Sequence, residues 1–166
     1  GLSSRDAAMT ADFRRDLIAQ IENRALVYLE MYDVLAEEVG AARAEALLSK
    51  AIYRRGRSAG ASLAKFAPAD PAGLRDAFLA NVPGGKELFE PEILRSDAER
   101  LEIQLHGSPL KDAWLEAGLA EDKIAMLCRI AGAVDKGLFE GAGFSFENRT
   151  WTPGAEGCCF LSIRRR

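Results

Sequence analysis

The chain is poor in the residues that build metal centres and disulfide frames. Among 166 residues there are one histidine and three cysteines. The cysteines, Cys128, Cys158 and Cys159, form no CxxC pair, and an odd number cannot all be bridged within one chain. Reduced thiols in a reducing compartment, by default the cytoplasm, are therefore expected instead of a disulfide scaffold. No apolar run approaches the ~18 residues of a membrane helix, and no signal-peptide pattern opens the chain. An excess of one charge is lacking too. With 22 basic against 25 acidic side chains the net charge is −3, without the footprint of a nucleic-acid binder. The dense basic runs, Arg54-Arg55-Gly56-Arg57 and Arg164-Arg165-Arg166, read as a solvated helix face and a solubilising tail. Guanidinium groups at the first run also suit a carboxylate or phosphate, which arginine binds bidentately. The expected partner is a small molecule, not nucleic acid or membrane, with a homo-oligomer left open.

What the chain does have is apolar content, 48% of residues, enough for one core in a chain of single-domain length. Residues 1–11 are small and polar and are expected to be disordered, leaving 12–166 as a single domain. From Asp12 to Val39 apolar residues recur at spacings of three and four (Phe13, Leu17, Ile21, Leu29, Tyr32, Leu35), which predicts a long amphipathic helix, or two helices in line, stopped by Gly40. A second helix is predicted over 42–65. Within it Gly56 and Gly60 share a face, and each costs about 1 kcal/mol relative to alanine. That face must meet something closely, a neighbouring helix backbone or a ligand. Asp70-Pro71 and Ser108-Pro109 each pair an N-cap with proline at the first helical position. They open helices expected to run to about Leu79 and Ala117. Residues 86–95, containing Pro91, read as irregular or only briefly helical.

After Arg100 the pattern changes. Leu101 to Leu105 alternates apolar and polar, the period of a half-buried strand. A helix is predicted from Glu121 to Lys136, then a strand candidate at Phe144-Ser145-Phe146 and a final strand over 158–163, the last two forming a hairpin. Helices first and a small, mainly antiparallel sheet later give an α+β class.

Four residues in this half could carry chemistry. His106 ends the first strand. Cys128 and Asp135 are seven apart and so return to nearly one helical face. Cys158 and Cys159, if both on a strand, point to opposite faces, Cys159 into the core and Cys158 towards a pocket. Should His106, Cys128 and Cys158 converge, they offer nitrogen and sulfur ligands suited to a divalent metal such as zinc, or a thiolate with a nearby base.

The stretch from Leu105-His106-Gly107-Ser108-Pro109 through Cys128 and Asp135 to Gly154-Ala155-Glu156-Gly157-Cys158-Cys159-Phe160 resembles the bacterial L-2-amino-thiazoline-4-carboxylic acid hydrolase family. Its final hairpin carries a Gly-x-x-x-Cys-x-Phe element, here Gly154, Cys158 and Phe160. Glu22-Asn23-Arg24 and the Ile52 to Gly60 segment agree more loosely, and His106-Gly107-Ser108-Pro109 departs where a cysteine is expected before the proline. The resemblance implies a hydrolase that adds water at the C=N carbon of a small cyclic amidine or isothiourea carboxylate. On it Cys128 is nucleophile or ligand, Asp135 or His106 the base, Cys158 a second ligand or pocket wall, and Arg57 the partner of the substrate carboxylate. The hairpin is also similar to vinyl-reductase-type binding domains, sensors or carriers that turn nothing over. That reading expects Phe144, Phe146 and Trp151 to wall an apolar cavity.

Overall fold

One glycine separates the first two helices. Gly40, at φ 86°, ends α1 (Ser4–Val39) in a left-handed conformation that a side chain would strain, and α2 (Ala41–Gly60) starts at once. The computed structural model describes residues 1, 3–67 and 69–166. A 3-10 segment (Ala61–Phe66) follows α2, then α3 (Pro71–Asn81), α4 (Lys86–Phe89), β1 (Pro91–Ser96) and β2 (Arg100–Leu105). The chain ends with α5 (Pro109–Glu116), α6 (Glu121–Gly141), β3 (Ser145–Arg149) and β4 (Cys159–Arg164). The strands form one antiparallel sheet in the order β1-β2-β4-β3, with β3 and β4 a hairpin. This is the α+β architecture expected. Among the described residues no helix is long and apolar enough to cross a membrane.

Both Pro-bearing caps form as their sequences dictate. The Asp70 carboxylate accepts from the Gly73 amide, and the Ser108 hydroxyl accepts from the Lys111 amide. Three expectations are corrected. Residues 4–11, expected to be disordered, are the first turns of α1, capped by Ser3. Residues 91–96 are an edge strand, where proline at the first position is tolerated and a bulge between Ile93 and Arg95 breaks the alternation. Helix α6 continues five residues past Lys136, to Gly141.

The last correction has a packing cause. A Cβ placed on Gly56 would lie 2.1 Å from the Val134 carbonyl oxygen, and one on Gly137 2.1 Å from that of Tyr53. A Cβ on Gly60 would lie 2.2 Å from the Leu138 carbonyl oxygen. The glycines of α2 and α6 thus face each other, backbone against backbone, and glycine continues the helix because the contact supplies what its propensity lacks. The Gly56–Gly60 face therefore packs chiefly on a helix, with Gly56 also reaching the cavity described below.

The core has two lobes. In one, Ile21, Ala25, Leu48, Ile52, Trp114 and Leu127 are buried between α1, α2, α5 and α6, and the Trp114 indole donates to the Ala25 carbonyl at 2.8 Å. In the other, Leu74 and Phe78 of α3 and Phe139 of α6 cover Leu101, Ile103, Leu161 and Ile163 of the sheet. Helix α6 belongs to both, and the lobes meet along its middle.

Gly56→Ala should lower stability. Alanine regains about 1 kcal/mol of helix propensity, but its methyl meets a backbone oxygen that cannot yield unless α6 shifts. Overpacking of this kind costs about 1–3 kcal/mol. Against a rigid backbone oxygen the upper part of that range applies, leaving a net loss of about 1–2 kcal/mol and a fall of a few degrees in Tm for a chain of this length. Thermal unfolding followed by circular dichroism checks it, and an unchanged Tm would show that the helices part freely.

Candidate active site

Where the two lobes meet, the chain encloses a partly open cavity of about 340 Å³. One wall is a stripe of α6: Cys128, Ala131, Gly132, Asp135 and Leu138, spaced at three and four as one helical face requires. Facing it are Leu110 and Trp114 of α5, Phe78 of α3, and the chain around Leu105, Ser108, Cys158 and Cys159. Phe89, Val82 and Pro83 close another side. Arg24 of α1, exposed to solvent, is the one cationic residue among the lining residues, and no described residue ion-pairs with it.

Of the residues selected from sequence, Cys128, Asp135 and Cys158 all line this cavity. They are near enough for the charge of one to disturb the others. Ionised Asp135 raises the Cys158 thiol, and Cys158 raises that of Cys128. His106 and Arg57 are elsewhere. The His106 ring lies on the surface, its Nε2 2.6 Å from the Glu92 carboxylate of β1, and its amide donates to the Glu90 carbonyl. Arg57 is exposed on α2, with its backbone against Gly137 and Gly141. Phe144 and Phe146 fill the sheet lobe of the core and Trp151 the helical lobe, so the aromatic walls of the cavity are Phe78, Phe89 and Trp114 instead.

Asp135 is the least compensated group in the site. It is half-buried by surface only because it borders the cavity, and no described residue hydrogen-bonds or ion-pairs with it. Desolvation alone pushes its carboxyl up to about 7, because nothing nearby stabilises the charged form. The thiols diverge. Burial, reinforced by the Cys158 charge, pushes Cys128 up to about 12, so it stays protonated at neutral pH. Cys158 is held below the ordinary thiol value, first by the Cys159 thiol beside it, then by the Ser108 hydroxyl and the Lys111 ammonium, against the opposing effect of burial. Cys159 is raised by its contact with Cys158 and by burial.

The two adjacent cysteines do not point to opposite faces. Cys158 precedes β4, in a loop where Gly157 adopts φ 73° and its carbonyl accepts from Lys111 Nζ at 2.9 Å. This turn brings Cys158 Sγ to 2.6 Å from Cys159 Sγ, and both residues border the cavity. All three cysteines are free. Among the described residues no group of three His, Cys, Asp or Glu side chains is placed to hold a metal ion. With His106 turned away, the zinc-type convergence does not form. Sequence reasoning missed Ser108, legible only as a helix cap, and Arg24, which has no motif of its own beyond Glu22-Asn23-Arg24.

A four-stranded antiparallel sheet backed by helices around a small, largely apolar cavity defines the chain as an α+β domain. Within that class it belongs to the L-2-amino-thiazoline-4-carboxylic acid hydrolase family, whose model matches residues 19–161. No curated protein matches the chain. The fold is similar to that of trafficking protein particle complex subunit 3 from Naegleria fowleri, solved covalently bound to palmitic acid, with a TM-score of 0.57 and 15% identity over 89% of this chain and 96% of that one. It is also similar to the phenol-responsive sensory domain of the transcription activator PoxR, solved with phenol, with a TM-score of 0.52 and 18% identity over 84% of this chain and 73% of that one.

Two expectations follow from these electrostatics. Under native conditions an alkylating reagent should label Cys158 ahead of both Cys128 and Cys159, which peptide mapping would read. Equal rates would contradict the divergence. For Asp135 the folded carboxyl is raised from 3.8 to about 7, so between those values the folded chain holds a proton that the unfolded chain has lost. Stability should therefore fall as pH rises from about 4 to about 7 and level off above. Asp135→Asn should flatten that slope and stabilise the chain by roughly 1–3 kcal/mol at pH 8, as read from denaturant midpoints at several pH values.

Proposed function

We propose that the chain is a hydrolase that opens a small cyclic amidine bearing a carboxylate, such as the L-2-amino-thiazoline-4-carboxylic acid of its family's name. The observation that carries this reading is Asp135, an uncompensated carboxyl held at about 7 beside a thiol that is held low. Environments that push two neighbouring groups in opposite directions are how one site supplies an acid and a nucleophile at the same pH. The Cys158 thiolate attacks the amidine carbon, and protonated Asp135 gives its proton to the ring nitrogen. The C–N bond then breaks as the exocyclic amino group forms a C=N bond to that carbon and passes a second proton to the departing amine. Asp135, now ionised, takes a proton from water, which attacks the same carbon, returns the second proton to the exocyclic nitrogen and releases Cys158. One water is added and the ring is opened. Cys128 is a wall of the site here, since a thiol at about 12 does not attack at neutral pH. Arg24, in place of Arg57, meets the substrate carboxylate at the cavity mouth. The free thiols suit a reducing compartment such as the cytoplasm.

Ring opening of L-2-amino-thiazoline-4-carboxylate by the purified chain tests the reading. Asp135→Asn should lower kcat/KM by about 10²–10⁴, the usual worth of general acid–base catalysis, and Cys158→Ser should cost at least as much. Arg24→Ala should act mainly on KM. Full activity in Asp135→Asn would sink the mechanism.

The mainly apolar lining favours one competing reading, a binding module of the kind the phenol-bound sensory domain represents. If the chain opens no cyclic amidine yet binds phenol-sized ligands, with Trp114 fluorescence reporting occupancy, that reading replaces the first.

A further inference from the structure

Three features of the hairpin converge on one piece of chemistry that hydrolysis does not require. Cys158 and Cys159 are neighbours in sequence, yet their sulfur atoms stand 2.6 Å apart, well inside the ordinary contact of two thiols. Both border the cavity and are half-buried, whereas Cys128, on the same cavity, is only 4% exposed. The backbone holds them there. The Cys158 amide donates to the Leu105 carbonyl at 2.9 Å, Gln104 Nε2 donates to the Cys159 carbonyl at 3.2 Å, and Lys111 fixes Gly157 from the other side. A pair already held in contact loses little further freedom on bonding.

We propose that Cys158 and Cys159 form a two-electron redox site, a vicinal dithiol that peroxide closes into a reversible disulfide at the cavity wall. The inference goes beyond the hydrolase reading and holds whether or not the chain turns over an amidine. The chemistry balances with hydrogen peroxide as the oxidant. The Cys158 thiolate attacks one peroxide oxygen; the O–O bond breaks, a sulfenic acid forms, and hydroxide leaves to become water with the proton Cys158 had given up. Cys159 then attacks the sulfenic sulfur. The S–S bond forms, the S–O bond breaks, and the Cys159 proton leaves with that oxygen as a second water.

The order of attack follows from the neighbours. Ser108 and Lys111 stand beside Cys158 and favour its thiolate, while Cys159 packs against the sheet lobe and its thiol is raised by Cys158 and by burial. A disulfide between adjacent residues closes a small ring through the intervening peptide. Strain of this kind makes a bridge easy to reduce. Cellular thiols would therefore reset the site, as suits a reversible modification and not a structural staple. In the closed form Cys158 is no longer available to attack a ligand in the cavity.

Intact mass spectrometry of the folded, full-length chain treated with hydrogen peroxide tests the proposal. The expected result is a loss of about 2 Da, two hydrogens, restored by dithiothreitol, with peptide mapping placing the bridge between Cys158 and Cys159. Cys128→Ser should show the same loss. Cys159→Ser should show instead a gain of about 16 Da at Cys158, one oxygen, trapped by dimedone as a sulfenic acid. A bridge between Cys128 and Cys158, a bridge between two chains, or direct passage of Cys158 to higher oxides in the parent would each overturn it.

Discussion

The backbone contact between α2 and α6 is the constraint from which the rest of the molecule follows. Gly56 and Gly60 on one helix and Gly137 on the other leave no room for a side chain, so the axes approach until carbonyl oxygens meet Cα atoms. This fixes the rotation of α6. With its glycine face committed to α2, the adjoining stripe from Cys128 to Asp135 turns to the seam between the helical lobe and the sheet lobe. A cavity remains there because neither lobe extends far enough to fill it. The same helix that closes the core also carries Asp135, a carboxyl that no described residue compensates.

That carboxyl gives the cavity its character. The surrounding wall is apolar, built from Phe78, Phe89, Leu110, Trp114 and Leu138, and in such a medium an isolated carboxylate is costly. Asp135 meets the cost by holding its proton to about neutral pH. A folded chain that keeps an unpaired carboxyl in an apolar recess sacrifices stability at that point, a pattern met more often at sites selected for chemistry than in cores selected for packing. Membership of a hydrolase family and the three thiols lining the same cavity point the same way.

Much of the fold was legible because the chain is explicit at its punctuation. Gly40, Asp70-Pro71 and Ser108-Pro109 each state a helix boundary in residues whose local chemistry leaves few alternatives. The Cys128–Asp135 relation was legible for a similar reason, since seven residues of helix admit only one geometry. The end of α6 was not, because Gly137 and Gly141 read as breakers until a partner helix is known to lie on them. Edge strand β1 was hidden by Pro91 and by its single covered face, and that omission spread to the site. Glu92 lies on β1, so the partner that draws His106 to the surface could not be seen. Arg57 failed by one position, next to a glycine that touches the cavity but itself turned to solvent. Cys158 and Cys159 were assigned to opposite faces by strand periodicity, which does not apply to a residue in the loop before β4.

The claim on which all of this rests is that Asp135 lies uncompensated in the cavity. A carbon-detected NMR titration of the aspartate carboxyls in the folded chain measures it directly. The account predicts one carboxyl with a midpoint of about 7, absent from Asp135→Asn. If every aspartate titrates in the ordinary range near 4, Asp135 is solvated or paired, and neither the cavity nor the mechanism built on it is as described.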